Sequence, residues 1–284
     1  MHNNLIDRIV HKEDIVKNAQ WSLNEDIRKE DISAKIIPNN IHSNAQVISR
    51  DNAILCGTHW FDCVFKLLNK DVKIQWNVTD GDKIHANQII CSITGHARSI
   101  LTAERSALNF LQTLSGTATT THAMVNLIKH TNAKLLDTRK TLPGLRTAQK
   151  YAVLCGGGNN HRLDLNDFYL LKENHIRAGG GIHSVITQAR LLHPNTKIEI
   201  EVSNIEELQH AIEAQADIIM LDNFSMDQIQ AAVKYNNQKC KLEVSGNITI
   251  DNIKQIAETG VDLISTGIIT KNCVAIDLSL LINS

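Results

Sequence analysis

The chain has 284 residues, 43% of them apolar, and a formal net charge of −1. That is enough for a full core in about two domains, and a charge so near zero excludes a global attraction to nucleic acid or to a membrane surface. Its six cysteines form no CxxC pair or zinc-ligand spacing, no basic-then-apolar signal segment opens the chain, and the apolar runs are strand length, well short of the roughly 20 residues of a membrane helix, so a reducing cytoplasm is expected.

Alternating runs at Ala45–Ser49 and Lys73–Val78, with turns at Asp80-Gly81-Asp82 and Thr94-Gly95, predict a small β-rich domain with helices. From Thr102 to about His130 the pattern turns helical: Leu108, Leu111, Leu114, Ala118, Met124, Val125 and Ile128 form apolar stripes, with an interruption expected at Ser115-Gly116. Strands and helices then alternate. Strands are predicted near 134, 168, 197, 217, 240 and 262, and helices near 145–155, 182–192, 204–214, 226–236 and 249–258. This is an α/β pattern with six strands, two fewer than the usual closed barrel.

The ends of these strands carry the chemistry. Asp137-Thr138-Arg139-Lys140-Thr141 follows Lys134–Leu136, Lys172 follows Phe168–Leu171, Glu201 lies within Lys197–Val202, and Asp222 follows Ile218–Leu221. Ser245-Gly246 and Ser265-Thr266-Gly267 end the last two strands. In barrel-like α/β enzymes that face holds the active site. Glu201 and Asp222 are hard oxygen donors suited to Mg²⁺, although strand-end acids also pair with neighbouring Lys or Arg. Glu199 shares a face with Glu201 but lies deeper, so it is expected to be paired inside the barrel. Ser245-Gly246-Asn247 and Ser265-Thr266-Gly267 are placed where backbone N–H groups can cradle a phosphate. His161-Arg162 alone reads equally as a loop whose cations meet helix carbonyls. The glycine triplets at 156–158 and 179–181 lack GxGxxG spacing and are expected to end a helix and to form a turn. The cysteines read as small buried apolar groups.

The order of these blocks is distinctive. Asp137-Thr138-Arg139-Lys140-Thr141, Gly156-Gly157-Gly158-Asn159-Asn160-His161-Arg162 and Leu171-Lys172-Glu173-Asn174-His175-Ile176 closely resemble the signature of the quinolinate phosphoribosyltransferase family. Glu104 to Phe110, Ser115 to Thr119, Glu199 to Val202, Met220 to Ser225 and Ser245 to Ile248 extend the likeness over nearly the whole chain. The resemblance implies an incomplete α/β barrel of about six βα units preceded by a small α+β sandwich domain. The expected limits are 1–110 for the amino-terminal domain, 111–269 for the barrel, and 270–284 for a tail packing back on the first domain.

The resemblance also implies a reaction: decarboxylating transfer of phosphoribose from phosphoribosyl pyrophosphate to quinolinate, giving nicotinate mononucleotide, CO₂ and pyrophosphate. Arg105, Thr138, Arg139, His161, Arg162 and Lys172 would bind the substrates, most of them around the diacid, with Lys140 nearer the pyrophosphate. Lys140, Lys172, Glu201 and Asp222 would be the catalytic group, Glu201 and Asp222 would hold Mg²⁺, and no organic cofactor is needed. Ser245, Gly246, Asn247, Ser265, Thr266, Gly267 and Ile268 would form the phosphate pocket. Asn247 stands where the family usually has a second glycine, and Ile268 where it usually has a small residue. The implied assembly is a homodimer, or a hexamer of such dimers, with Arg105 reaching the partner's site.

Three other readings compete. A related phosphoribosyltransferase would use a monoacid such as nicotinate, but the many cations argue for a diacid. A Schiff-base aldolase would use Lys140 or Lys172 as a desolvated amine. A non-catalytic phosphate-binding barrel would keep Ser245-Gly246 and have no use for Glu201 with Asp222.

Overall fold

The computed structural model describes residues 6 and 9–283, so the start of the amino-terminal domain and the last tail residue lie outside the described residues. The first half of the chain forms α1 (Lys12–Asp26), a 3-10 turn (Ala34–Ile36), β1 (His42–Ser49), β2 (Ala53–Ile54), α2 (Thr58–Leu68), β3 (Lys73–Trp76), β4 (Lys83–Ile84), β5 (Ile89–His96) and α3 (Ala97–Ile128). Then come β6 (Lys134–Leu136), α4 (Arg146–Cys155), β7 (Tyr169–Leu171), α5 (Glu173–Ala178), α6 (Ile182–Leu192), β8 (Ile198–Val202) and α7 (Ile205–Glu213). The chain closes with β9 (Ile218–Asp222), α8 (Met226–Asn236), β10 (Lys241–Ser245), α9 (Ile253–Glu258), β11 (Leu263–Ser265), α10 (Ile268–Lys271) and β12 (Leu278–Asn283).

Contacts divide the chain into two compact units. The first runs to His122 and adds Thr141–Gly157 and the stretch from Ile269; the second holds Ala123–Lys140 and Gly158–Ile268. This division is drawn differently from the limits read from sequence. Helix α4 goes with the first unit because Ala148, Tyr151, Ala152 and Cys155 are buried in that unit's core.

In the first unit an antiparallel sheet is ordered β12-β1-β5-β3, beside a two-stranded β2-β4 ribbon. Strand β12 lies on β1 with Val47 opposite Leu280. Trp60, Phe61 and Phe65 of α2 and Ile100, Ala103, Ala107, Leu108, Leu111 and Leu114 of α3 fill its core, each large side chain contributing roughly 2 kcal/mol.

Two local expectations fail here, and the expected turn at Asp80-Gly81-Asp82 forms but does more than turn the chain. Thr94-Gly95 is no turn but part of β5, opposite Asn44 and Ser43. The glycine serves packing: a Cβ there would lie 2.9 Å from Val72 Cγ2. Helix α3 runs unbroken through Ser115-Gly116, because Ser115 Oγ accepts from Cys56 N (2.9 Å) and donates to Cys56 O (3.1 Å). A Cβ on Gly116 would lie 2.1 Å from Val274 O. Asp80 is more than a turn residue: it accepts from the first N–H groups of α2, Gly57 N (3.1 Å) and Thr58 N (3.2 Å), and from Tyr151 Oη (3.1 Å).

The second unit is a parallel sheet ordered β6-β11-β10-β9-β8-β7, with β6 and β7 as edges. The barrel is therefore incomplete, as expected. One face buries Ile200, Val202, Ile219, Leu221, Leu242, Val244 and Ile264. The helices are started by local chemistry: the Asn204 side chain caps the amino end of α7 by accepting from Glu207 N, and Ser225 and Gln228 form a capping box at the amino end of α8. The other face carries Glu199 and Glu201 on β8, Met220 and Asp222 on β9, Glu243 and Ser245 on β10, and Ser265 on β11. At its base Leu136, Ile218 and Leu263 make a small apolar cluster.

Candidate active site

The polar face starts at β6. Asp137, fully buried, accepts from His161 N (3.0 Å) and from Asn160 Nδ2 (2.5 Å). Asn159 bridges Leu136 in parallel, its N–H donating to Leu135 O (2.9 Å) and its carbonyl accepting from Asp137 N (3.1 Å). The segment carrying His161 and Arg162 is thus laid along β6. Asp137 and Asn160 were missed as site residues, although an acid directly ending a buried strand was the available signal.

Arg139 and Arg162 converge. Arg162 is 8% exposed, and its guanidinium is held below its ordinary pKa first by burial and then by the Arg139 charge. Among the described residues neither Nε has a hydrogen-bond partner, and both are buried. A buried guanidinium beside a half-buried one, each with an unpaired Nε, forms a strong site for an anion with paired oxygens. Thr138 Oγ1 accepts from Lys140 N (3.0 Å). Lys140 passes over Gly267, where a Cβ would lie 3.1 Å from Lys140 Cδ and 3.3 Å from Thr138 Oγ1. A side chain there would have to push the Lys140 and Thr138 side chains aside by a few tenths of an ångström.

Glu201 and Asp222 lie on one face of the neighbouring strands β8 and β9. Lys172 Nζ is ion-paired with Glu201 Oε2. Burial and then the Glu201 charge push the Asp222 carboxyl up, while the Asn223 amide, Lys172 and Lys140 oppose the rise. Carboxylates side by side on neighbouring strands form an oxygen donor set that suits Mg²⁺. Asn223 Nδ2 donates to Asp222 Oδ2 (2.9 Å), and Asn247 Nδ2 donates to Asn223 Oδ1 (3.1 Å). Asn247 adopts a left-handed φ of 51° without needing glycine. Sequence reading missed Asn223.

Beneath these groups lies a buried cluster. His161 Nε2 is 3.0 Å from Glu199 Oε2 and 3.8 Å from Glu243 Oε2, and both glutamates have no exposed surface. The three residues offer ligand atoms within 4.8 Å of one another, so they too have the composition of a cation site. Burial pushes both glutamate carboxyls up to about 8; Arg162 opposes this for Glu199, whereas the Glu199 charge adds to it for Glu243. Glu199 is paired inside the sheet face as expected. Glu243 was missed, although an acid between Leu242 and Val244 on a buried strand is an available signal.

The phosphate-pocket candidates flank these residues. Ser245 and Gly246 are half-buried, and Ser265 and Thr266 are buried. Thr266 N donates to Leu136 O (3.1 Å), and Thr266 Oγ1 accepts from Ile268 N (3.2 Å) at the start of α10. Arg105 is exposed on α3 within the first unit, whereas Thr138, Arg139, Lys140, His161, Arg162, Lys172, Glu201 and Asp222 all belong to the second. Among the described residues no helix is long and apolar enough to cross a membrane.

Comparison with known proteins places this geometry. Residues 31–115 match the amino-terminal domain of quinolinate phosphoribosyl transferase, and residues 117–281 match its carboxy-terminal domain. A probable carboxylating nicotinate-nucleotide pyrophosphorylase from Synechocystis is 39% identical over 265 residues, 92% of this chain and 90% of the relative. One from Bacillus subtilis is 37% identical over 90% of this chain and 89% of its own. The solved nicotinate-nucleotide pyrophosphorylase from Francisella tularensis superimposes with a TM-score of 0.94 at 51% identity, covering 96% of this chain and 98% of that one. With both domains matched and the polar strand ends in order, the chain belongs to the quinolinate phosphoribosyltransferase family.

Proposed function

We propose that the second unit catalyses the decarboxylating transfer of phosphoribose from phosphoribosyl pyrophosphate to quinolinate, releasing nicotinate mononucleotide, CO₂ and pyrophosphate. The observation that carries this reading is the pair of buried Arg162 and half-buried Arg139, each with an unpaired Nε donor. Quinolinate carries two adjacent ring carboxylates, and two fixed guanidinium forks match them better than point charges would. His161 supports this subsite, and Lys172 and Thr138 complete it within the unit. Lys140, beside Gly267, faces the pyrophosphate, and Ser245, Gly246, Asn247, Ser265, Thr266, Gly267 and Ile268 cradle the phosphate.

Glu201 and Asp222 would hold Mg²⁺, which when bound offsets charge on the pyrophosphate leaving group. The pyridine nitrogen captures the anomeric carbon as the C–O bond to pyrophosphate breaks. The ring nitrogen is then cationic, and its charge stabilises the electron pair left on the adjacent ring carbon when that carbon's carboxylate departs as CO₂. The carbon is then protonated. The protein needs no organic cofactor and no base for the attacking nitrogen; fixed charges do the work. A Schiff-base reading is disfavoured because Lys172 is ion-paired with Glu201 and Lys140 is exposed, whereas that chemistry wants a desolvated amine.

Nicotinate, with one carboxylate, should be a poor acceptor, because half of the guanidinium pair stays unmatched. Steady-state assays with each acceptor test this, and efficient turnover of nicotinate would contradict the reading. The same proposal extends to a cytoplasmic homodimer in which exposed Arg105 completes the partner's diacid site, alone or within a hexamer. Mixing Arg105→Ala with Lys140→Ala subunits under exchange should restore about a quarter of wild-type activity, because half the dimers then carry one intact site. No recovery despite exchange would remove Arg105 from the partner's site.

A further inference from the structure

Strands β8 and β10 each turn one carboxylate, Glu199 and Glu243, into the sheet's polar face with no exposed surface. Strand β9 between them contributes Ile218 and Met220 at those registers, so no strand cation faces the two carboxyls. What meets them is the His161 ring. Its main chain is fixed by Asp137 Oδ1, and Phe168 packs against the ring with centroids 5.2 Å apart. The Nδ1 atom accepts from the main-chain N–H of Arg162 (2.9 Å), so Nδ1 carries no proton. The ring proton then lies on Nε2, which is within ion-pair distance of Glu199 (3.0 Å) and Glu243 (3.8 Å), although the ring N–H is not aligned on either carboxyl as a hydrogen bond. The other ionisable groups acting on the pair are Arg162, Lys172, Lys197 and Glu201.

We propose that Glu199, with Glu243 behind it, is a positioning residue of the acceptor subsite: the pair holds His161 as its Nε2–H tautomer, and the ring holds the Arg162 main chain in place. Partners behind a histidine commonly fix which nitrogen is free to accept, and here the accepting nitrogen serves the residue that bears the guanidinium. The inference rests on the reading of Arg162 as an acceptor-binding cation.

The test combines nitrogen-resolved NMR of ligand-free protein near neutral pH, with the His161 signals assigned by their loss in His161→Gln, and steady-state kinetics. Wild type should show one ring form, Nε2 protonated and Nδ1 bare. In Glu199→Gln the ring should lose this single form and the KM for quinolinate should rise by about tenfold, with KM for phosphoribosyl pyrophosphate changed by less than about threefold. Glu243→Gln, farther from Nε2, should raise the quinolinate KM by about threefold. Should Glu199→Gln not fold, Glu199→Asp withdraws the acceptor by one methylene and is expected to act in the same direction. A protonated Nδ1 in wild type, or an unchanged ring form in the Glu199 variants, would overturn the proposal. So would a changed ring form with an unchanged quinolinate KM. If wild type shows no turnover of quinolinate at all, the functional reading fails, while the NMR measurement still decides whether the pair clamps the ring.

Discussion

Asp80 in the first unit and Glu243 in the second are both acids removed from water, and burial raises both carboxyls above their ordinary values. They differ in what meets their oxygens. Asp80 receives two main-chain N–H groups and the Tyr151 hydroxyl, so it ties the start of α2 to α4. Glu243 receives no main-chain N–H among the described residues; the His161 ring at 3.8 Å, the Ser265 hydroxyl and Lys172 offset its charge. The first pattern stabilises a fold. The second is tolerated at a cost, which is what a site preorganised for ligand charge looks like.

The sharpest separation should come from the strand-end acids of the second unit. Glu201→Gln or Asp222→Asn is expected to lower kcat by about a thousandfold or more, with quinolinate binding and the unfolding midpoint nearly unchanged. Kinetics, calorimetry with quinolinate, and denaturant unfolding check this. Equal loss of quinolinate binding would move these acids to the acceptor side.

Next comes stability. Asp80→Leu leaves three buried donors without an acceptor and should cost about 3 kcal/mol in denaturant unfolding. Glu243→Leu removes an unmatched buried acid and should be neutral or stabilising by about 1 kcal/mol. Comparable losses at both positions would break the contrast. The pH dependence follows with its sign. Folded Glu243 titrates at about 8 against an ordinary 4.5, so it binds its proton more tightly folded than unfolded. Its contribution is fully present below about 4.5 and is lost as pH rises through about 8. Glu243→Gln should flatten the fall in stability across that window, and an unchanged slope would count against the assignment.

The smallest effect is expected at Asn247. If the phosphate sees main-chain N–H groups, Asn247→Gly loses only the side-chain link to Asn223. KM for phosphoribosyl pyrophosphate should rise by less than about tenfold, or roughly 1.4 kcal/mol. A larger rise would give the side chain a direct role.

Much of this was legible beforehand for a physical reason. The predicted helix 182–192 is α6, and 226–236 is α8, because amphipathic period and turn residues agree there. The strand ends at Lys172, Glu201 and Asp222 stood out because charge abruptly follows an apolar run. What escaped depends on contacts distant in sequence. Gly95 and Gly116 read as breaks, yet each is small because another segment packs against it. Asp80 read as a turn, because its partners lie 22, 23 and 71 residues away. Asp137, which ends β6, and Glu243, which lies between two apolar residues of β10, were visible as buried acids, but only the pairing of β6 and β10 with their surroundings gives them roles.

The most direct measurement of the central claim is product stoichiometry with purified protein, quinolinate, phosphoribosyl pyrophosphate and Mg²⁺. Nicotinate mononucleotide and CO₂ should appear in equal amounts and only when all three are present. Nucleotide formed without matching CO₂, or no nucleotide from quinolinate at all, would contradict the account.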